Sequence, residues 1–175
     1  MSLHIIIDGY NLIRQSKTLS AVDQLDLQLG REALLDRLSA YKRVKKHKIT
    51  VVFDGSNAPS FSDERDLFKG LSIRFSRAGE LADAVIKRMA ARERERALIV
   101  SSDRDIIDAA SAAGAATIGS HEFEERISLA IYAESNGFGT DEEDRAGWVP
   151  TTKKRGPSRR RSKRERRSRT KIQKL

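Results

Sequence analysis

The 175-residue chain has no cysteine, only three prolines and 6% aromatic residues. Without cysteine it cannot be a disulfide scaffold, and it cannot ligate zinc or an iron–sulfur cluster through thiolates. That absence suits a reducing compartment, so a cytoplasmic location is expected. No apolar run approaches the roughly 20 residues that span a bilayer, and no membrane partner is expected. The early run Ile5-Ile6-Ile7 stops at Asp8 and lacks the basic lead and cleavage site of a signal peptide.

Basic charge is scarce where a fold would place it. Residues 151–175 hold 13 of the 34 Lys and Arg and one acid, Glu165, so that segment is +12. The remaining 21 bases and 24 acids leave residues 1–150 at −3. The net charge of +9 therefore belongs to a basic appendix on a slightly acidic body. Only Ile172 and Leu175 are apolar in the appendix, which predicts a disordered tail over 151–175. Residues 134–150, with Asn136-Gly137, Gly139 and Asp141-Glu142-Glu143-Asp144, read as an acidic linker. Residues 1–133 are the expected folded domain.

Within that domain two hydrophobic periods alternate. Leu3–Ile7, Ile49–Phe53 and Ala97–Val100 are short β-branched runs without polar alternation, as in strands buried on both faces. Leu71–Phe75 alternates, and Ala115–Ile118 is a weaker fifth strand. Between them lie helical stripes: Leu34, Leu38 and Tyr41; Leu81, Val85 and Met89; Ile106, Ile107, Ala110 and Ala113; Phe123, Ile127 and Ile131. Alternating strands and helices predict an α/β fold with a mostly parallel sheet of about five strands flanked by helices. Leu34, Leu38, Val51, Val85, Ile99 and Ile106 are the expected core. Residues 55–70 read as a mobile loop.

In open α/β sheets ligands bind beyond the carboxyl ends of the strands. Acids fall at four successive exits: Asp8, Asp54, the Glu80/Asp83 pair, and Asp103 with Asp105. Two carboxylates about 4 Å apart repel by roughly 4 kcal/mol at an effective dielectric near 20. Such a cluster raises its own pKa values or recruits a cation. Oxygen-only ligands suit Mg2+ or Mn2+, which would polarise a phosphodiester and activate water. None of His4, His47 and His121 falls with these acids, which argues against zinc. Structural readings stand beside each acid: Asp103 as a helix cap, Asp54 as a turn acid, Glu80 as a helix-dipole partner, Asp105 as a solvated first-turn acid. No phosphate-binding glycine loop is present, and Ser101 and Ser102 have no His at another strand exit.

Taken in order, Ile5-Ile6-Ile7-Asp8-Gly9-Tyr10-Asn11, Val51-Val52-Phe53-Asp54, Glu80-Leu81-Ala82-Asp83 and Val100-Ser101-Ser102-Asp103-Arg104-Asp105 resemble the NYN domains. These are PIN-like ribonucleases, and the bacterial YacP-like branch is most similar. The resemblance runs from about Leu3 to Ile131 and leaves the basic tail outside. It implies a PIN-like fold and metal-dependent endoribonuclease activity, with 5′-phosphate and 3′-hydroxyl products. It implies Asp8, Asp83 and Asp103 as ligands of Mg2+ or Mn2+, with Asp105 a further ligand or outer acid. Asn11 would orient Asp8 or a water. Where that branch often has Thr two residues before the helix Asp, this chain has Leu81. RNA, free or ribosome-bound, is the expected partner, with the tail on its phosphates. The competing readings are a catalytically silent RNA-binding or ribosome-associated module and an unrelated phosphatase or nucleotide-binding protein. Retention of all four Asp counts against the first. The lack of a second Asp two residues after Asp8 counts against a phosphoaspartate phosphatase.

Overall fold

In the computed structural model, residues 3–55, 65–77, 79–137 and 162–175 are described. Strand β1 (His4–Asp8) leads through three helices, α1 (Gly9–Gln15), α2 (Lys17–Leu25) and α3 (Leu27–Val44), into β2 (Lys48–Phe53). A hairpin follows, β3 (Arg65–Phe68) and β4 (Leu71–Phe75), then α4 (Ala82–Glu93). The chain continues as β5 (Ala97–Val100), α5 (Arg104–Ala112), β6 (Ala116–Ile118), α6 (Ser120–Ser135) and α7 (Lys163–Gln173).

The sheet order is β3-β4-β2-β1-β5-β6, parallel except for β3. The central strand β1 pairs Ile6 with Thr50 on one side and with Ile99 on the other. All five of its residues are buried, as a strand covered on both faces requires. Its side chains alternate between two cores. Ile5 and Ile7 join Val51, Phe53, Leu34, Leu38, Tyr41 and Phe123 on the face covered by α1, α3 and α6. Ile6 joins Val52, Ile99, Val85, Met89 and Ile106 on the face covered by α4 and α5. The six expected core residues are all buried. Among the described residues no helix is long and apolar enough to cross a membrane.

Three expectations need correction. The sheet of about five strands has six, and the loop expected over 55–70 is in part a strand: Arg65–Phe68 pairs antiparallel with β4 through the Lys69-Gly70 turn. Residues 56–64 lie outside the described residues. The segment between β1 and β2 is three helices, because Ser16 accepts from Leu19 N–H and Asp26 from Gln28 and Leu29 N–H, each side chain starting a new helix.

The third correction concerns the tail. Residues 138–161 lie outside the described residues, but residues 162–175 are not disordered. Ser162 and Glu165 form a capping box that starts α7. Its two apolar side chains dock: Ile172 packs against the α3/α6 core, and Leu175 is buried in it. Tyr41 Oη donates to the Leu175 carbonyl at 3.1 Å, and Arg126 donates to the Ile172 carbonyl at 3.1 Å. Arg167 pairs with Glu95 at 2.6 Å, and Lys171 donates to the Glu95 carbonyl. Besides these two apolar residues, the body holds the end of the chain through bonds to the carbonyls of Ile172, Lys174 and Leu175.

Candidate active site

Asp8 ends β1 and caps α1. It is buried, with Oδ1 accepting from Asn11 N–H at 3.2 Å and Oδ2 from Ser101 Oγ at 3.2 Å. Ser101 Oγ in turn accepts from Asp103 N–H at 3.1 Å, joining the exits of β1 and β5. Gly9 has no room for a side chain: a Cβ there would lie 2.3 Å from the Phe53 ring. That close approach sets the sharp exit of the chain after Asp8.

Asn11 meets Asp8 through its backbone and two serines through its side chain. Its side-chain Oδ1 accepts from Ser102 N–H at 2.9 Å and Ser120 Oγ at 2.7 Å. Ser102 Oγ also accepts from Ser120 N–H at 3.1 Å. Asn11 is thus a brace between the exits of β1, β5 and β6. Ser101 and Ser102, weighed from sequence only as nucleophiles, act here as hydrogen-bonding supports, and Ser120 joins them without having been foreseen. Their signal was present in the sequence as hydroxyls at neighbouring strand exits.

The other acids take up both structural and electrostatic roles. Asp103 caps α5, with Oδ1 accepting from Asp105 N–H at 2.8 Å and Ile106 N–H at 3.4 Å. Asp83 lies in the first turn of α4, half-buried. Burial pushes the Asp8 carboxyl up to about 6; hydrogen bonds from Asn11 and Ser101 oppose this, and the charges of Asp83 and Asp103 add to it. Asp83 and Asp103 thus both bear on Asp8. Asp105 is exposed and forms an ion pair with Lys87, one turn beyond Asp83 on α4. Contact with Asp105, and the nearby charges of Asp83 and Asp103, raise the Lys87 pKa.

Two acids fall outside this description. Glu80 lies before α4, not in its first turn, and pairs with Arg88, whose hydrogen bond lowers the Glu80 pKa. Asp54 lies on the Tyr10 side, where burial first, and its charge among others, raise the phenol pKa. Leu81 is the residue at the start of α4; it is 64% exposed and gives the helix no side-chain cap.

Among the described residues, no three acids or histidines lie close enough to form a ready-made metal cage. The donor set is nevertheless all carboxylate oxygen, and Asp8 is a desolvated acid under the field of two others. Asp103 uses Oδ1 for its cap, leaving Oδ2 without a capping role.

No curated protein matches the chain. Among solved structures, Rae1 (YacP) from Bacillus subtilis is 20% identical, with 79% of this chain and 80% of that chain covered at a TM-score of 0.65. A mutant of the same protein is 19% identical over 78% and 80%, at 0.64. At such identities the likeness establishes the fold, which is PIN-like. The family comparison reaches further along the sequence than the four motifs do: the YacP-like NYN domain matches residues 5–174, so α7 lies within it. Matched over nearly its whole length and folded alike, the chain belongs to the YacP-like NYN domain family.

Proposed function

We propose that this protein is a metal-dependent endoribonuclease that hydrolyses RNA phosphodiester bonds at the Asp8–Asp83–Asp103 edge. The observation that supports it most is Asp8: a buried carboxyl raised to about 6, with two further acids acting on it where a PIN-like sheet takes its ligand. Membership in the NYN family favours RNA as substrate. Asp8, Asp83 and Asp103 would hold Mg2+ or Mn2+, with Asp105 outside them on Lys87. When bound, the cation supplies charge to the phosphoryl oxygen and acidifies a water. The chain's own part is positional. Ser101 fixes Asp8 and the Asp103 backbone together, and Asn11 locks three strand exits so that the acids keep their spacing. Lys87 offers a cation at the same edge for a phosphate oxygen. The cations of residues 151–161 are proposed to hold the RNA backbone without reading sequence, since no aromatic residue interleaves them.

Asp8→Asn and Asp83→Asn test the reading with single-stranded RNA in Mn2+, Mg2+ or chelator. Each variant is expected to lose cleavage by at least about a hundredfold, as the cation contributes several kcal/mol to the transition state. Cleavage that persists in chelator, or in the double variant, overturns it. Wild type that binds RNA but never cuts it marks the silent module instead. For the tail, replacing Arg159, Arg160 and Arg161 by Ser should reduce the salt slope of RNA binding by about 2, with no change in Tm. An unchanged slope removes these arginines from the RNA path.

A further inference from the structure

We propose that the cleft between α3 and the β3–β4 hairpin is a nucleobase pocket, holding one unstacked base of the strand whose phosphodiester lies at the Asp8 edge; this rests on the RNA reading above. The cleft has a volume of about 340 Å³, near the lower end of the roughly 300–1,000 Å³ of small-molecule sites and suited to one flat ring system.

Its floor is aromatic. Phe53 and Phe75, at the ends of neighbouring strands, stack with ring centroids 5.9 Å apart, and Phe68 of β3 lies beside them. Phe68 and Phe75 remain only half-buried, because α3 does not close over the edge hairpin. Arg31, buried on α3, holds its guanidinium 5.9 Å from the Phe75 centroid while donating to Tyr10 Oη at 3.3 Å and Gln28 Oε1 at 2.9 Å. Lys69 lies 4.9 Å over the Phe68 ring and pairs with Asp36 across the cleft at 2.7 Å. A cation already occupies one ring face from the open side, where a base would take its place.

Charge decides the ligand class. The cleft is lined by Arg31 and Lys69 against Glu32, Asp36 and Asp66, a net negative wall that repels phosphate. Carboxylates accept hydrogen bonds only, so they favour a base that presents an amino group, as adenine, cytosine and guanine do, over uracil, which has none. Unstacked bases of single strands seat on aromatic and Arg planes in just this way. Buried packing links the floor of the pocket to the acid edge. Phe53 meets the Tyr10 ring at 5.2 Å, and the Gly9 backbone lies against Phe53 directly after Asp8.

The full chain, in chelator, is titrated with adenosine, cytidine and uridine while the ring signals of Phe68 and Phe75 are followed by NMR. Nucleosides carry no phosphate, so the basic tail does not contribute. Adenosine and cytidine should move both rings saturably, and uridine should bind most weakly. Phe68→Ala should weaken adenosine binding at least about fivefold, the low end of the loss of one base–aromatic stack. Phe68→Leu, which keeps most of the volume without the ring, should behave alike, whereas Glu134→Gln, exposed on α6, should bind as wild type. Rings that stay unmoved, uridine binding as tightly as adenosine, or Phe68→Leu binding at full strength would overturn the pocket. An active nuclease with unmoved rings would sink the pocket alone. Nucleoside binding by a chain that never cuts RNA would sink the nuclease reading alone.

Discussion

Strand β1 begins on a buried base and ends on a buried acid, and the two ends are treated differently. At the amino edge, the neutral His4 ring bonds Thr50 Oγ1 at 2.8 Å, with Glu93 3.5 Å from its other nitrogen. Glu93 is in turn flanked by Arg92 and Arg96 at 3.5 and 3.7 Å. The end of α7 covers that edge as well: His47, just before β2, contacts the Lys174 carbonyl, and Glu95 takes Arg167 and Lys171. At the carboxyl edge, Asp8 has a hydroxyl and one N–H, and its charged neighbours Asp83 and Asp103 share its sign. Burial is costly at both ends. At His4 the charge of Lys48 adds to that cost and Glu93 offsets it; at Asp8 the hydrogen bonds from Asn11 and Ser101 offset it and the charges of Asp83 and Asp103 add to it, so a cation would have something to gain at the acid end.

The sharpest break of this contrast is Asp8→Asn. The folded pKa of Asp8, about 6, lies above its ordinary value of 3.8. The proton is therefore held more tightly in the native state. The penalty of the charged form is fully present above about pH 6 and gone below about pH 4. Removing it should stabilise the apo protein by about 1 to 3 kcal/mol at pH 7.5, the lower figure allowing for a weakened Ser101 contact. Urea melts at pH 7.5 and pH 4 should show the gain at the first and not at the second. A loss of stability at pH 7.5 would mean that the carboxyl edge is compensated after all.

A smaller effect is expected where α7 closes the amino edge. Leu175→Ala should cost about 2 kcal/mol, the low end for a buried Leu at the margin of a core. RNA cleavage at saturating substrate should be unaffected, because the acids sit at the other end of the strands. An unchanged urea midpoint would show that α7 does not hold the edge. The smallest effect belongs to His4. Burial, more than the nearby Lys48 charge, lowers its pKa below 6.5, against the pull of Glu93. The unfolded chain thus takes the proton first, and this part of the stability is lost as pH falls below about 6.5. Comparing wild type with His4→Asn at pH 7.5 and 5.5 isolates that loss from the opposite trend of Asp8. Parallel pH profiles would remove His4 as its source.

The strands and the site were not equally legible. Ile5-Ile6-Ile7 and Val51-Val52-Phe53 announce buried strands because β-branched and aromatic runs suit few other environments. Arg65-Asp66-Leu67-Phe68 carries no such pattern; β4 makes it a strand by pairing with it. The DGYN and SSDRD motifs marked Asp8 and Asp103. Asn11's contacts with Ser102 and Ser120 could not be seen there, since the partners are 91 and 109 residues away. Nor could the docking of α7 be seen, where Tyr41 and Arg126 supply bonds to a segment that looked too polar to fold.

The sequence by itself determined the alternating α/β layout, the parallel core and the positions of acids at successive strand exits. These follow from local periodicity and from residue types that act within a few positions of one another. Only the tertiary structure decided which acids share a field and which are drawn off: Asp83 and Asp103 act on Asp8, while Glu80 goes to Arg88 and Asp105 to Lys87. The physical reason is that desolvation and charge coupling depend on distance through space. Chain separation does not encode that distance until the sheet and its helices have assembled.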